Sequence, residues 1–205
     1  MDSHSEKADL KETGRVEAFS DGVFAFAITL LVLYLRDPIS SGNGDLLQGL
    51  INQWPAFFAF LTSFMTILIM WVGHHEMFTY IRSIDRGLMF LNGFMLLFVT
   101  LTPFTTSLVA DHILSSGSQT AAAVYSGDLL CMSLIWGAVL RHVSSHRLFA
   151  GEAGQVGVRM QLRGSYVGAA LYALAFVVAF FSGLATVVLM LGVAVYWVVG
   201  PTSMR

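Results

Sequence analysis

The sequence predicts an all-α membrane protein with six transmembrane helices. Of its 205 residues, 56% are apolar and only 12% are charged, which is about half the charged share of a soluble domain. Long uncharged runs recur along the chain, and a span needs ~20 apolar residues. This composition argues against a soluble enzyme and a disordered protein, and against an outer-membrane barrel, whose strands are short and alternate. The net charge of -2 offers no basic field for nucleic acid.

Uncharged runs locate the first three spans. The run 22–35 reaches spanning length only if the helix begins near Arg15 and includes acidic residues at its start. The runs 46–73 and 87–110 form the second and third spans, and Pro55 suits the first turn of a helix. The first 14 residues, which are polar and carry both charge signs, are either a short tail or the start of the first helix.

The second half of the chain supplies three more spans. The run 120–140 contains a single acid, Asp128. The run 164–204 has no charge and is twice the length of a span, so the Ser182-Gly183 pair near its middle predicts two helices joined by a tight turn. The predicted spans, within one domain of residues 1–205, are 15–36, 52–78, 87–109, 120–141, 163–181 and 184–201.

The distribution of basic residues predicts the orientation of the spans. With the N-terminus inside, Arg36 is the one basic residue of the 11 that falls in an outer segment. Cytoplasmic segments of membrane proteins carry an excess of Lys and Arg. Both termini are therefore expected in the cytoplasm.

The first span combines an apolar stripe with an acid on another face. Phe26, Thr29, Leu30 and Leu33 share one arc of the helix, and Asp21 lies about 140° from Phe26 at ~100° per residue. A stripe of this kind is either simple packing or the wall of a pore. An acid inside a membrane span is costly and suggests a functional role.

Polar residues also collect at the inner ends of the first three spans. Unpaired polar groups in apolar surroundings cost several kcal/mol, so we expect a hydrogen-bonded network around Asp21 and His74, with Asp21 paired to Arg15 and His74. Arg82 and Asp85 are expected to meet water independently. The residues expected at this network are Arg15, Phe19, Ser20, Asp21, Trp71, His74 and Asn92.

Other candidate sites are weaker. His74 and His75 point to different faces of a helix, so no metal site is predicted there. Asp128 is expected at the outer rim of its span, in contact with water, with a proton or cation site as the alternative. The single cysteine, Cys131, allows no disulfide within the chain.

The pattern R-x-x-x-F-S-D followed by an apolar run, with W-x-x-H and a later D, N and P-F, resembles the transmembrane-protein-175 family of potassium channels. The resemblance covers spans one to three closely, and spans four to six match in number and length. The residues that carry it are Arg15, Phe19-Ser20-Asp21, Trp71, His74, Asp85, Asn92 and Pro103-Phe104.

This resemblance implies an architecture and a site. Animal members have two six-span repeats and lie in endosomes and lysosomes, whereas prokaryotic members have one repeat and form homotetramers in the plasma membrane. The first helix of each subunit would line a central pore, and the F-S-D motif would support that helix from behind. The narrowest point would be Phe26, where most relatives carry Ile or Leu, followed by Thr29, Leu30 and Leu33.

The sequence therefore predicts a potassium-preferring cation channel without enzymatic activity. We expect its partners to be copies of itself, membrane lipid and monovalent cations, and we expect no cofactor beyond the permeant potassium ion. The first alternative is a proton-coupled secondary transporter that uses Asp21, His74 or Asp128. A second alternative is a membrane scaffold without transport.

Overall fold

A computed structural model describes residues 3–35 and 45–200, with side chains described from Glu12 onward. The elements named in this part of the chain are all helical, which confirms the all-α fold. They are α1 (Ser3–Leu30), a short 3-10 helix (Leu31–Tyr34), α2 (Leu46–Asn52), α3 (Trp54–Tyr80), α4 (Arg86–His112), α5 (Ser118–Ser145), α6 (Gly151–Ala179) and α7 (Gly183–Val199).

Five segments are long and apolar enough to cross a membrane, namely Glu12–Tyr34 and helices α3, α4, α5 and α6. Helix α7 is also apolar but has only 17 residues, or about 26 Å at 1.5 Å per residue. The backbone of α1 is helical from Ser3, so the polar residues before Arg15 begin the first helix.

The uncharged run 46–73 contains a break that the sequence pattern did not predict. Helix α2 begins after Asp45, whose side chain accepts a hydrogen bond from the backbone N–H of Leu47 at 3.1 Å. It ends at Asn52, and α3 begins at Trp54 with Pro55 in its first turn, as predicted. Proline fits there because its missing N–H is not needed in the first turn.

Helix α1 lies at one edge of the bundle, whereas α5 lies near its centre. Among the described helices, α1 packs on α3 and α4, while α5 contacts α4, α6 and α7. The hydrogen bonds Glu17–His75 and Trp71–Asp21 show that α1 runs antiparallel to α3. One face of α1 consequently has no neighbouring helix among the described residues.

The predicted tight turn joins α6 to α7. Helix α6 ends at Ala179, and the side chain of Ser182 caps α7 by accepting a hydrogen bond from the N–H of Ala185 at 3.2 Å. The start of α7 lies against the start of α5, because a Cβ atom at Gly183 would be 2.5 Å from the carbonyl oxygen of Ser118. Glycine is therefore needed at this contact.

We expect Gly183→Ala to destabilise the protein, because the atoms it would meet are backbone atoms of Ser118 that cannot rotate away. Overpacking of this kind costs about 1–3 kcal/mol. The measurement is thermal unfolding in detergent. Gly192→Ala in the same helix is the matched control, since a Cβ there meets nothing within 4 Å. Equal melting temperatures for the two variants would contradict the close contact.

Candidate pore wall and the polar networks around it

The predicted stripe of α1 is uncovered along most of its length. Phe26 is 63% exposed, and Leu33, in the 3-10 helix that continues α1, is 69% exposed. Phe19 is 67% exposed on the same face, so its expected place in the polar network is wrong. Thr29 is also exposed, and Leu30 is half-buried. This face carries large apolar side chains that the single chain does not bury.

The opposite face of α1 packs into the helix bundle. Ser20, Phe24, Ala27 and Leu31 are buried at spacings of four, three and four residues, which place them on one side of a helix. Ile28 is half-buried and packs against the core. The rotation of α1 is therefore fixed, with Phe26 pointing away from α3 and α4.

A buried chain of hydrogen bonds holds three helices together behind this face. His74 on α3 donates from Nε2 to the Asn92 side-chain oxygen at 3.0 Å, and Asn92 on α4 donates from Nδ2 to the Ser20 hydroxyl at 2.9 Å. Ser20 in turn donates to the carbonyl oxygen of Val16 at 2.9 Å. The structure thus brings Ser20, His74 and Asn92 together.

Asp21 has a different partner from those expected. The indole N–H of Trp71 donates to Asp21 at 2.9 Å, and His75 donates to Glu17 at the same distance one turn away. Arg15 is exposed and forms no hydrogen bond or ion pair with another described residue. The expected pairing of Asp21 with Arg15 and His74 is therefore wrong, because the indole of Trp71 and the amide of Asn92 provide the partners instead.

Asp128 lies inside the helix bundle, so its expected position at a wet rim is wrong. It is only 7% exposed. The hydroxyls of Thr102 and Thr105 on α4 both donate to its Oδ2 at 3.1 Å. Asp128 is ten residues from the start of α5, or about 15 Å along the helix axis.

Hydroxyl groups that the sequence pattern did not single out form a second set of hydrogen bonds between helices. Thr106 donates to the hydroxyl of Ser63 at 2.7 Å, and Ser63 shares a hydrogen bond of 2.9 Å with the hydroxyl of Tyr125. These bonds join α3, α4 and α5. The sequence could have indicated a polar contact here, because the spacing of Thr102, Thr105 and Thr106 places the three hydroxyls on one side of α4.

Asp85 is also paired, contrary to the expectation that it meets water independently. Its side chain caps α4 by accepting from the Leu88 N–H at 2.7 Å, and His142 on α5 donates to it at 2.9 Å. Partial burial acts to raise the pKa of Asp85, but these hydrogen bonds outweigh it and hold the pKa below its usual value. The two residues are far apart in sequence, so spacing could not reveal the pair.

Long apolar helices joined by buried hydrogen bonds define this chain as a multi-pass integral membrane protein. The family described as the endosomal/lysosomal potassium channel TMEM175 matches residues 15–103. A potassium channel of Chamaesiphon minutus is 39% identical over 180 residues, covering 86% of this chain and 89% of the relative. The chain belongs to the TMEM175 family.

Other relatives differ in how much of their length is matched. A potassium channel of Streptomyces collinus is 46% identical over 136 residues, which is 66% of each chain. The endosomal/lysosomal proton channel TMEM175 of Homo sapiens is 38% identical over 93 residues, and the match covers 42% of this chain but only 18% of that protein.

The fold also matches solved structures of the family. The crystal structure of a lysosomal potassium-selective channel TMEM175 homologue from Chamaesiphon minutus superposes with a TM-score of 0.83 at 36% identity, covering 92% of this chain and 97% of that one. The potassium channel MtTMEM175 has a TM-score of 0.60 at 17% identity. At that identity the second match concerns the fold alone.

We expect Asn92→Leu to destabilise the bundle, because it leaves the Nε2–H of buried His74 without an acceptor. An unsatisfied buried donor costs about 1–3 kcal/mol. Thermal unfolding in detergent measures the loss. Asn52→Leu is the control, since the exposed side chain of Asn52 accepts a hydrogen bond from the neighbouring Gln48 on the same helix, and exposed substitutions usually stay within about 0.5 kcal/mol. If Asn92→Leu and Asn52→Leu have the same melting temperature, the network does not stabilise the bundle as expected.

Proposed function

We propose that this chain is one subunit of a homotetrameric potassium channel in a prokaryotic plasma membrane, with α1 of each subunit lining a central pore. Membership of the TMEM175 family carries the channel function, because the relative matched over 89% of its length is a potassium channel. The uncovered apolar face of α1 supports the pore position. The same evidence favours a channel over the proton-coupled transporter and the scaffold.

The proposed subunit crosses the membrane six times with both termini in the cytoplasm. Two observations support this topology. Helix α7 is apolar throughout, and at about 26 Å it can cross a hydrocarbon core of ~30 Å if the bilayer thins slightly. With this topology, Arg36 is the one outer residue among the 11 Lys and Arg residues, as the positive-inside rule requires.

The pore would be narrowest where large apolar side chains meet. Four copies of Phe26 would form one ring, with Leu30 further out on α1 and Leu33 in the 3-10 helix that follows it. A narrow apolar ring resists conduction because water leaves it and an ion loses hydration there. Side-chain rings would have to set selectivity, since the sequence contains no T-V-G-Y-G segment for a filter of backbone carbonyls.

Thr29 is suited to contact the permeant ion. Its hydroxyl donates to the carbonyl oxygen of Phe26 at 2.8 Å, and the side chain is exposed. Because the proton of the hydroxyl is used within the helix, the oxygen lone pairs are available to a cation. Four such oxygens would replace part of the hydration shell that the apolar rings remove.

The identity of the ion is the point on which the relatives differ. The two bacterial relatives described above are potassium channels, and the human relative is a proton channel. The bacterial relative from Chamaesiphon minutus is matched over almost its full length, so we assign potassium to this chain, with preference over sodium. Potassium uptake into liposomes without a proton gradient tests this assignment, and proton flux alone would overturn it.

We expect Asp128→Asn to leave potassium flux close to that of the wild-type protein. Asp128 lies between α4 and α5, away from the exposed face of α1, and an amide oxygen can still accept from Thr102 and Thr105. A carrier that uses Asp128 would instead lose transport. Liposome flux measured on protein that elutes normally in gel filtration separates the two outcomes.

We expect Phe26→Ala to raise potassium conductance and to lower discrimination between potassium and sodium, because a smaller side chain widens and wets the ring. Single-channel recording in bilayers measures both quantities. Ile28→Ala is the matched control, since Ile28 packs against the core. It should reduce stability and leave ion preference unchanged.

Thr29→Val tests the coordinating role separately, because it keeps the size of the side chain and removes the oxygen. Ion preference should fall with little change in assembly.

If Phe26→Ala leaves conductance and ion preference unchanged, this face of α1 is buried packing, and the pore assignment is overturned.

A further inference from the structure

A cluster of possible metal ligands lies at the end of the bundle where α5 finishes and α4 begins. Asp85 immediately precedes α4, His142 lies in the last turn of α5, and His146 follows that helix. The two histidines are four residues apart, so they lie on the same face one turn apart. None of the three residues belongs to the proposed pore or to the network around Asn92.

The ligand atoms are close enough to bind one ion. One ligand atom from each of Asp85, His142 and His146 lies within 4.8 Å of the other two. Around a tetrahedral zinc ion with bonds of ~2.0–2.2 Å, neighbouring ligand atoms lie roughly 3.3–3.6 Å apart. Modest side-chain rotations would therefore complete three of the four positions, with water at the fourth.

The surrounding backbone is shaped to admit the imidazole of His142. A Cβ atom at Gly87 would lie 2.6 Å from Cε1 and 2.9 Å from Nε2 of that ring. The Leu88 N–H fixes the carboxylate of Asp85 by donating to Oδ1. Partners that orient a ligand in this way are characteristic of metal sites.

His146 adds a third possible ligand to the pair formed by Asp85 and His142. Its Nδ1 lies 3.1 Å from the carbonyl oxygen of His142 and 3.1 Å from the hydroxyl of Ser145, and its ring stacks on that of His142 with centroids 4.0 Å apart. By comparison, the exposed His75–Glu17 pair has the same distance of 2.9 Å, but no third ligand was found beside it in the described residues.

We propose that Asp85, His142 and His146 form a binding site for a divalent transition-metal ion of the zinc class. Imidazole and carboxylate ligands together suit Zn²⁺, Ni²⁺ and Co²⁺, whereas Mg²⁺ and Ca²⁺ prefer oxygen ligands alone. A bound ion would connect the start of α4 to the end of α5. By the proposed topology, the ion would reach this site from the cytoplasm.

The test is titration of the full-length protein, without a polyhistidine tag, with Co²⁺ in detergent at neutral pH. The visible absorption of Co²⁺ reports its coordination geometry, and competition with Zn²⁺ gives the affinity. We expect about one Co²⁺ per chain, with the intense band of a tetrahedral site. His146→Gln is the main variant, because His146 is exposed and any residue at the end of α5 keeps the backbone N–H that caps the helix by donating to the carbonyl oxygen of His142.

His146→Gln and His142→Gln should each weaken binding by at least the ~10–100-fold that loss of an orienting partner typically causes. Gly87→Ala keeps all three ligands but displaces the His142 ring, so it should also weaken binding. His75→Gln is the matched control and should bind as the wild-type protein does. The proposal is overturned if the wild-type protein binds no Co²⁺, if His146→Gln leaves the band unchanged, or if His75→Gln removes it.

Discussion

The hydrogen bonds of Asn92 are the interaction on which the proposed pore depends. A polar side chain inside a membrane bundle must find its partners within the protein, because the bilayer core offers none. Asn92 accepts from His74 and donates to Ser20, so α1 is tied to the bundle through Ser20. Once that residue points inward, helical geometry turns Phe19 and Phe26 outward. The exposed face of α1 is thus a consequence of a bond made on its opposite side.

A second set of hydrogen bonds, around Ser63, joins the helices on which α1 packs. Ser63 and His74 lie on α3 eleven residues apart, or about 16 Å along the axis. His74 bonds to α4 through Asn92, and Ser63 bonds to α4 through Thr106 and to α5 through Tyr125. Helices joined at two depths resist both sliding and rotation. The second half of α1, beyond Asp21, packs on the bundle through apolar residues such as Phe24 and Ala27.

The sequence could predict those features that depend on helical periodicity and on length. The uncovered stripe that includes Phe26 and the turn at Ser182-Gly183 follow directly from residue spacing. Features that depend on which helices become neighbours could not be predicted, and the burial of Asp128 and the Trp71–Asp21 bond belong to this group. The residues after Leu30 form a third case, because they lie in a 3-10 helix. A 3-10 helix turns about 20° more per residue than an α-helix, so an α-helical wheel gives the wrong directions for their side chains.

The distribution of oxygen atoms explains why the proposed pore needs several subunits. Most polar side chains in the described spans are buried between helices of the same chain, as Asp128 and Asn92 are, and therefore do not face the proposed pore. On the uncovered face of α1, between Phe26 and Leu33, Thr29 supplies the only side-chain hydroxyl. One hydroxyl cannot replace the hydration shell of an ion, but a symmetric ring of four offers a set of oxygens at one level. Selectivity in such a channel would be a property of the assembly and not of the single chain.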